Sequence, residues 1–190
     1  GQVYSLLGRR ALFEVLTEVK GDDFYLTSRA GWTGMHQYAG ALIGDMEGTF
    51  EGMRLALSAM QSFALSGQGV AAHNLGGYAG RQENSVFRRW VQWGVFSPLF
   101  AMWNSGGTGE PWSFDEETLA DYRTSAKLRM RLLPYLHSCI WQYGQTSAPM
   151  IRPMALLFPQ ETELAARTDQ FMCGSEILVC PIFNQEGTAN

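Results

Sequence analysis

The sequence has few charged residues, few cysteines and few histidines. Charged side chains make up 17% of its 190 residues, and 46% are hydrophobic, whereas globular proteins average about 25% charged. This shortage of solvating groups indicates a surface that is partly covered, either by a partner or by other parts of a longer protein. We favour a fragment of a longer protein, because the sequence begins with Gly1 rather than Met and stops just after a strand-like segment.

These scarcities argue against several classes of protein. The formal net charge of −4 disfavours a nucleic-acid partner, which needs clustered Lys and Arg. No apolar run reaches the roughly 18 residues of a membrane span. Cys139, Cys173 and Cys180 lack metal-ligand spacing, so we predict buried free thiols, which favour a reducing compartment such as the cytoplasm. The three histidines are scattered, and we predict neither a metal nor a cofactor.

Helical and strand-like periods alternate along the chain and predict an α/β fold. The predicted helices cover residues 3–19, 50–65, 85–96 and 114–143, the last kinked at Pro134. The predicted strands cover residues 24–28, 38–43, 69–74 and 98–103, followed by 155–158 and 177–183. Four strand–helix units imply parallel strands joined by right-handed crossovers, which is half of an eightfold barrel. The alternative is a doubly wound sheet, but no phosphate-binding loop stands in the required strand-to-helix position.

Polar or aromatic side chains follow each of the first four predicted strands: Arg29, Trp32, Asp45, His73, Asn74, Trp103 and Asn104. A single aspartate after a strand is most simply a helix N-cap. Four such strand ends in succession instead predict a cleft, because the carboxyl ends of barrel strands converge at one mouth. Aromatic rings beside amides and a carboxylate suit a neutral, polyhydroxylated ligand.

Seven motifs, taken in order, resemble glycoside hydrolase family 31, which contains α-glucosidases, α-xylosidases and sulfoquinovosidases. They are SRAGWTGMHQYAG with IGD, HNLGGY, FRRWVQWGVFSPLF, EPWSF, LRMRLLPYL, IRPMALLFP and DQFMCGSEILVCPIF. The resemblance extends from about Val3 to Phe183. It implies the C-terminal half of a (β/α)8 TIM barrel in residues 1–158, followed by the start of a β-sandwich domain in residues 159–190.

The resemblance also implies a retaining α-glycosidase that uses two aspartates. By position, Asp45 matches the general acid/base, and Arg29 matches an arginine that contacts the sugar. The nucleophilic aspartate is expected upstream of Gly1, so we expect the fragment alone to be inactive. The expected partners are an oligosaccharide or α-glycoside substrate and the rest of the same barrel.

Three positions depart from the family pattern. Leu42 replaces a common Trp, Asn74 replaces a sugar-contacting Asp, and Trp103 replaces the His of an Arg-x-His motif. We expect Arg29, Trp32, Asn74 and Trp103 to bind the substrate, and these changes favour a sulfonated, N-acetylated or galacto-configured sugar over plain glucose. The alternative is a non-catalytic carbohydrate-binding relative with an altered pocket.

Overall fold

The computed structural model describes residues 3–80, 82–105 and 109–187. Its helices are α1 Val3–Lys20, α2 Phe50–Leu65, α3 Asn84–Gly94, α4 Glu116–Thr146, α5 Met154–Leu157 and α6 Thr162–Ala165, with 3-10 turns at Met35–Gln37 and Pro111–Ser113. Its strands are β1 Thr27–Ser28, β2 Gly40–Leu42, β3 Ala71–Ala72, β4 Ile151–Pro153, β5 Phe171–Cys173 and β6 Ile177–Val179. The predicted α/β class is confirmed.

The first sheet is parallel, with strand order β1-β2-β3. The predicted strand over residues 98–103 is wrong: only Ala101 pairs there, in a single parallel bridge with Asn74. The physical reason lies in the preceding carbonyl groups. The Arg129 side chain of α4 donates hydrogen bonds to three of them, those of Val95, Ser97 and Pro98, at N–O distances of 2.5 to 2.9 Å. In addition, Pro98 has no backbone N–H with which to pair in a strand.

Helices α2 and α3 supply the centre of the core. The Thr49 hydroxyl caps α2 by accepting a hydrogen bond from the backbone N–H of Gly52 at 3.0 Å, as an N-cap residue does. The apolar residues recurring every three or four positions in both helices are buried, as their spacing predicts: Met53, Leu57, Met60 and Ala64 in α2, and Val86, Trp90 and Trp93 in α3.

The outer helices are longer or more exposed than the core helices. Helix α4 runs without interruption through Pro134. The exposed Met130 lies one turn earlier, so its carbonyl, which Pro134 leaves without a donor, faces the side open to water. Helix α1 contains no buried residue. Its apolar residues at helical spacing form an exposed stripe, with Val15 55% and Val19 74% exposed.

The second sheet is antiparallel, with strand order β4-β5-β6. The predicted strand at 155–158 is wrong, because Ala155, Leu156 and Leu157 are good helix formers and lie in α5, while the strand precedes them as β4. Strand β4 therefore lies before residue 159, where we expected the second domain to begin. Cys139 and Cys173 are buried free thiols as predicted, but Cys180 is exposed.

We expect Arg129→Met to lower the free energy of unfolding by about 2–4 kcal/mol, because three carbonyl groups lose a charged donor. Arg131→Met, a change of the same chemistry at an exposed position of the same helix, should change it by less than about 0.5 kcal/mol. Urea denaturation of both variants tests this. If Arg129→Met lowers the free energy of unfolding no more than Arg131→Met does, the three hydrogen bonds contribute no stability.

Candidate functional site

Three chain segments leave the parallel sheet at the same edge and are joined there by backbone hydrogen bonds. Tyr78 N and Ala79 N, after β3, both donate to Met46 O, after β2, at 2.7 and 3.1 Å. Ser105 N, from the segment after the Ala101 bridge, donates to Tyr78 O at 2.9 Å. The loops after β2 and β3 and the 101–105 segment therefore form one continuous rim, which we call the strand-end rim.

Glycines allow the loops of the strand-end rim to meet backbone against backbone. Gly77 has φ +92°, and a Cβ added there would stand 2.6 Å from the backbone of Gly48. The buried Gln82 fixes the same turn, because its Nε2 donates to Gly77 O at 2.7 Å. The Gly76-Gly77 pair is the sequence signal for this close approach, whereas nothing in the sequence pointed to Gln82 as its support.

Arg29, which follows β1, meets Asp45 of the strand-end rim, as their positions after neighbouring strands predict. Arg29 Nη1 lies 2.6 Å from Asp45 Oδ2, and the two side chains remain 60% and 42% exposed. Upstream of Arg29, the buried Ser28 donates its hydroxyl to Ala30 O at 2.6 Å and so holds the turn that carries Arg29. The result is a positioned carboxylate that is still open to a ligand, next to a guanidinium with further donors to offer.

Asn74 and His73 follow β3 but occupy different surroundings. Asn74 is buried, and its Oδ1 has no hydrogen-bond partner among the described residues. His73 instead faces α3: its Nδ1 accepts from Trp90 Nε1 at 3.0 Å, and its ring stacks on Trp93 at 4.2 Å. Burial lowers the pKa of His73 to about 3, so the ring is neutral at neutral pH. His73, which is fully buried against Trp90 and Trp93, therefore belongs to the core rather than to a cleft.

The two tryptophans predicted to bind substrate line different clefts. Trp103 is 46% exposed and borders a small cleft of about 140 Å³ together with Leu75 and the exposed Trp112. Trp32 is also 46% exposed, but it borders a cleft of about 530 Å³ between residues 29–37 and α2. Sequence reasoning grouped both rings at one mouth and did not single out Trp112.

The described residues contain no cluster of three or more His, Cys, Asp or Glu side chains that would hold a metal ion. Within the same ranges, no helix combines the length and the apolar character needed to cross a membrane.

Comparison with known families gives two matches that together cover most of the chain. The Glycosyl hydrolases family 31 TIM-barrel domain matches residues 1–139, and the Glycosyl hydrolase family 31 C-terminal domain matches residues 147–190. The chain belongs to glycosyl hydrolase family 31. The resemblance stated from the seven sequence motifs is thereby confirmed.

Curated relatives in family 31 include an alpha-xylosidase of Emericella nidulans, 30% identical over 185 residues, covering 97% of this chain and 24% of that protein. Alpha-glucosidase 2 of Bacillus thermoamyloliquefaciens is 28% identical over 191 residues, covering 98% of this chain and 24% of that protein. The chain thus spans about a quarter of the length of these relatives.

Solved family 31 structures share the fold. An alpha-xylosidase from a soil metagenome, complexed with xylose, has a TM-score of 0.86 at 27% identity and covers 93% of this chain and 30% of that one. A dextranase of Flavobacterium johnsoniae, complexed with glucose, has a TM-score of 0.91 at 26% identity and covers 98% of this chain and 24% of that one.

We expect Gly77→Ala to destabilise the protein by roughly 3 kcal/mol, because the new Cβ adds a backbone clash to the unfavourable positive φ. Gly80→Ala is the matched control: Gly80 also has positive φ, +78°, but a Cβ there meets nothing within 4 Å, so about 1–2 kcal/mol is expected. Thermal unfolding of both variants separates the clash from the strain. A Gly77→Ala variant no less stable than Gly80→Ala would contradict the close contact in the strand-end rim.

Proposed function

We propose that the chain is the C-terminal half of the (β/α)8 barrel of a retaining α-glycosidase, in residues 1–158, followed by the start of a β-sandwich domain in residues 159–190. Three parallel strands, a fourth segment bridged to them and an outer layer of helices support the half barrel. The antiparallel β4-β5-β6 sheet supports the second domain, and its first strand favours a boundary somewhat before residue 159.

The exposed stripe of α1 also supports a half barrel. A helix with apolar residues at regular spacing normally buries that face against a neighbour, yet no residue of α1 is buried. In a closed barrel each helix packs against the strands beside it. We propose that the preceding part of the same barrel covers Val15 and Val19.

Asp45 is the proposed general acid/base, and its exposed position after β2, within reach of a ligand, is the observation that carries the proposal. The carboxylate stands at the end of β2, is held at one oxygen by a guanidinium and is 42% exposed. Proton transfer to a ligand needs a side chain that is both positioned and reachable. Arg29 has the remaining donors of a planar fork, which we assign to a sugar oxygen beside the scissile bond.

The proposed reaction needs a second carboxylate about 5–5.5 Å from Asp45, which acts as the nucleophile. We propose that it comes from a part of the polypeptide preceding Gly1. As that carboxylate attacks the anomeric carbon, Asp45 protonates the departing glycosidic oxygen. In the second step Asp45 takes a proton from water, which attacks the covalent glycosyl intermediate and releases the sugar with its configuration retained.

Asn74 and Trp103 are the proposed determinants of which sugar is accepted. The buried Asn74 Oδ1 has no partner among the described residues and accepts a ligand hydroxyl or amide N–H, while the half-exposed Trp103 ring stacks on a sugar face. Asn74 has an amide where the family has the carboxylate of an Asp, and Trp103 has an indole where it has the imidazole of a His. These two changes favour a sulfonated, N-acetylated or galacto-configured sugar. Relatives named as xylosidases and glucosidases support an α-glycoside as the substrate class.

We expect the full-length protein containing these residues to hydrolyse one of a panel of aryl α-glycosides, and Asp45→Ala to lower kcat by roughly 10²–10⁴-fold. The loss should shrink for good leaving groups, which need little protonation. Asp23→Ala, at an exposed carboxylate outside the strand-end rim, is the matched control and should retain wild-type activity. Undiminished hydrolysis by a folded Asp45→Ala variant would refute the assignment of Asp45.

A further inference from the structure

One unassigned feature is the cleft of about 530 Å³ between residues 29–37 and α2, which we call the α2 cleft. Its volume falls within the roughly 300–1,000 Å³ of small-molecule sites. Arg29 and Gln68 both line it, and α2 contributes residues from its last two turns. The cleft therefore has Arg29, but not Asp45, among its lining residues.

One wall of the α2 cleft is aromatic. The Trp32 ring is 46% exposed, and Phe63 of α2 is half-buried beside the same space. A half-exposed indole offers a flat apolar face together with a polar N–H. Such a surface suits the C–H face of a sugar ring better than a fully apolar ligand, which would need an enclosed pocket.

The lining from the end of α2 also carries hydrogen-bond acceptors. Ser62 and Ser66 both use their hydroxyl hydrogens on α2 carbonyls, at 2.9 and 2.8 Å, which leaves their oxygen lone pairs to accept. Gln68 Oε1 is buried and has no partner among the described residues. Its backbone is fixed, because Gln68 N donates to Phe63 O at 2.9 Å.

Two features of this lining select the ligand class. Among the described lining residues none is a carboxylate, and Arg29, already paired with Asp45, is the guanidinium present. Several acceptors and an aromatic face require a ligand with many donors and apolar ring faces, which describes a neutral glycan. An unpartnered buried acceptor is costly unless a donor reaches it, so a glycan hydroxyl at Gln68 Oε1 relieves that cost.

We propose that the α2 cleft is a second glycan-binding site, in which a sugar ring stacks on Trp32 and donates a hydroxyl hydrogen to Gln68 Oε1. A smaller cavity of about 200 Å³ shares His36 and Gln68 with it and continues to Tyr25 and Tyr143. The site thus has room for more than one sugar unit of a chain. Binding here needs no hydrolysis and does not depend on the role of Asp45.

The test is isothermal titration of the full-length protein with maltoheptaose, isomaltoheptaose and a xyloglucan heptasaccharide. Each titration is repeated with a saturating iminosugar, which occupies the proposed sugar-cleaving centre. The variants are Trp32→Ala and Gln68→Met, the second of which removes the acceptor while keeping the volume. Trp141→Ala is the matched control, because Trp141 is an exposed tryptophan on α4 that lines neither cavity.

We expect at least one oligosaccharide to bind with the iminosugar present, roughly tenfold more weakly to Trp32→Ala and to Gln68→Met, and unchanged to Trp141→Ala. Binding that the iminosugar abolishes, or that both variants retain at full strength, would overturn the proposal, as would the absence of binding by all three sugars. Hydrolysis of the aryl glycosides is measured separately, so a failure of the α2 cleft and a failure of the proposed function remain distinguishable.

Discussion

Backbone hydrogen bonds of the parallel sheet hold the strand ends at one edge: Ala41 N donates to Val70 O and Ile43 N donates to Ala72 O, each at 3.0 Å. Because the strands run in the same direction, the residues that follow them emerge side by side. The contact between Gly48 and Gly77 then locks the loops after β2 and β3 to each other. The position of Asp45 depends on both restraints, since Asp45 lies between β2 and Gly48.

The two residues that follow β3, His73 and Asn74, have different surroundings. His73 turns towards α3, where burial keeps it neutral and Trp90 and Trp93 hold it. Its neighbour Asn74 is also buried, and its Oδ1 has no hydrogen-bond partner among the described residues. A rigid, apolar support behind a polar edge is what a binding site requires, because ligand-contacting groups must be held in place by packing rather than by the ligand.

Sequence periodicity predicted the helices well, because burial of one helical face requires apolar residues every three or four positions. Helix α2 has the predicted bounds, residues 50–65. The strands were predicted less well, since residues 98–103 and 155–158 have apolar sequences whose structure is decided elsewhere, by Arg129 and by helix propensity. The Arg29–Asp45 pair followed from parallel strand ends. The separation of Trp32 from Trp103 could not be predicted, because it depends on how the 29–37 segment packs against α2.

The most direct test of the account is a crystal structure of the full-length protein bound to a non-hydrolysable thioglycoside of the sugar it accepts. We expect an Asp45 carboxyl oxygen to lie at hydrogen-bonding distance from the glycosidic sulfur, with a second aspartate carboxylate about 5–5.5 Å from Asp45 on the other side of the anomeric carbon. A bound sugar whose scissile atom lies beyond the reach of Asp45, or next to a different carboxyl group, would contradict it.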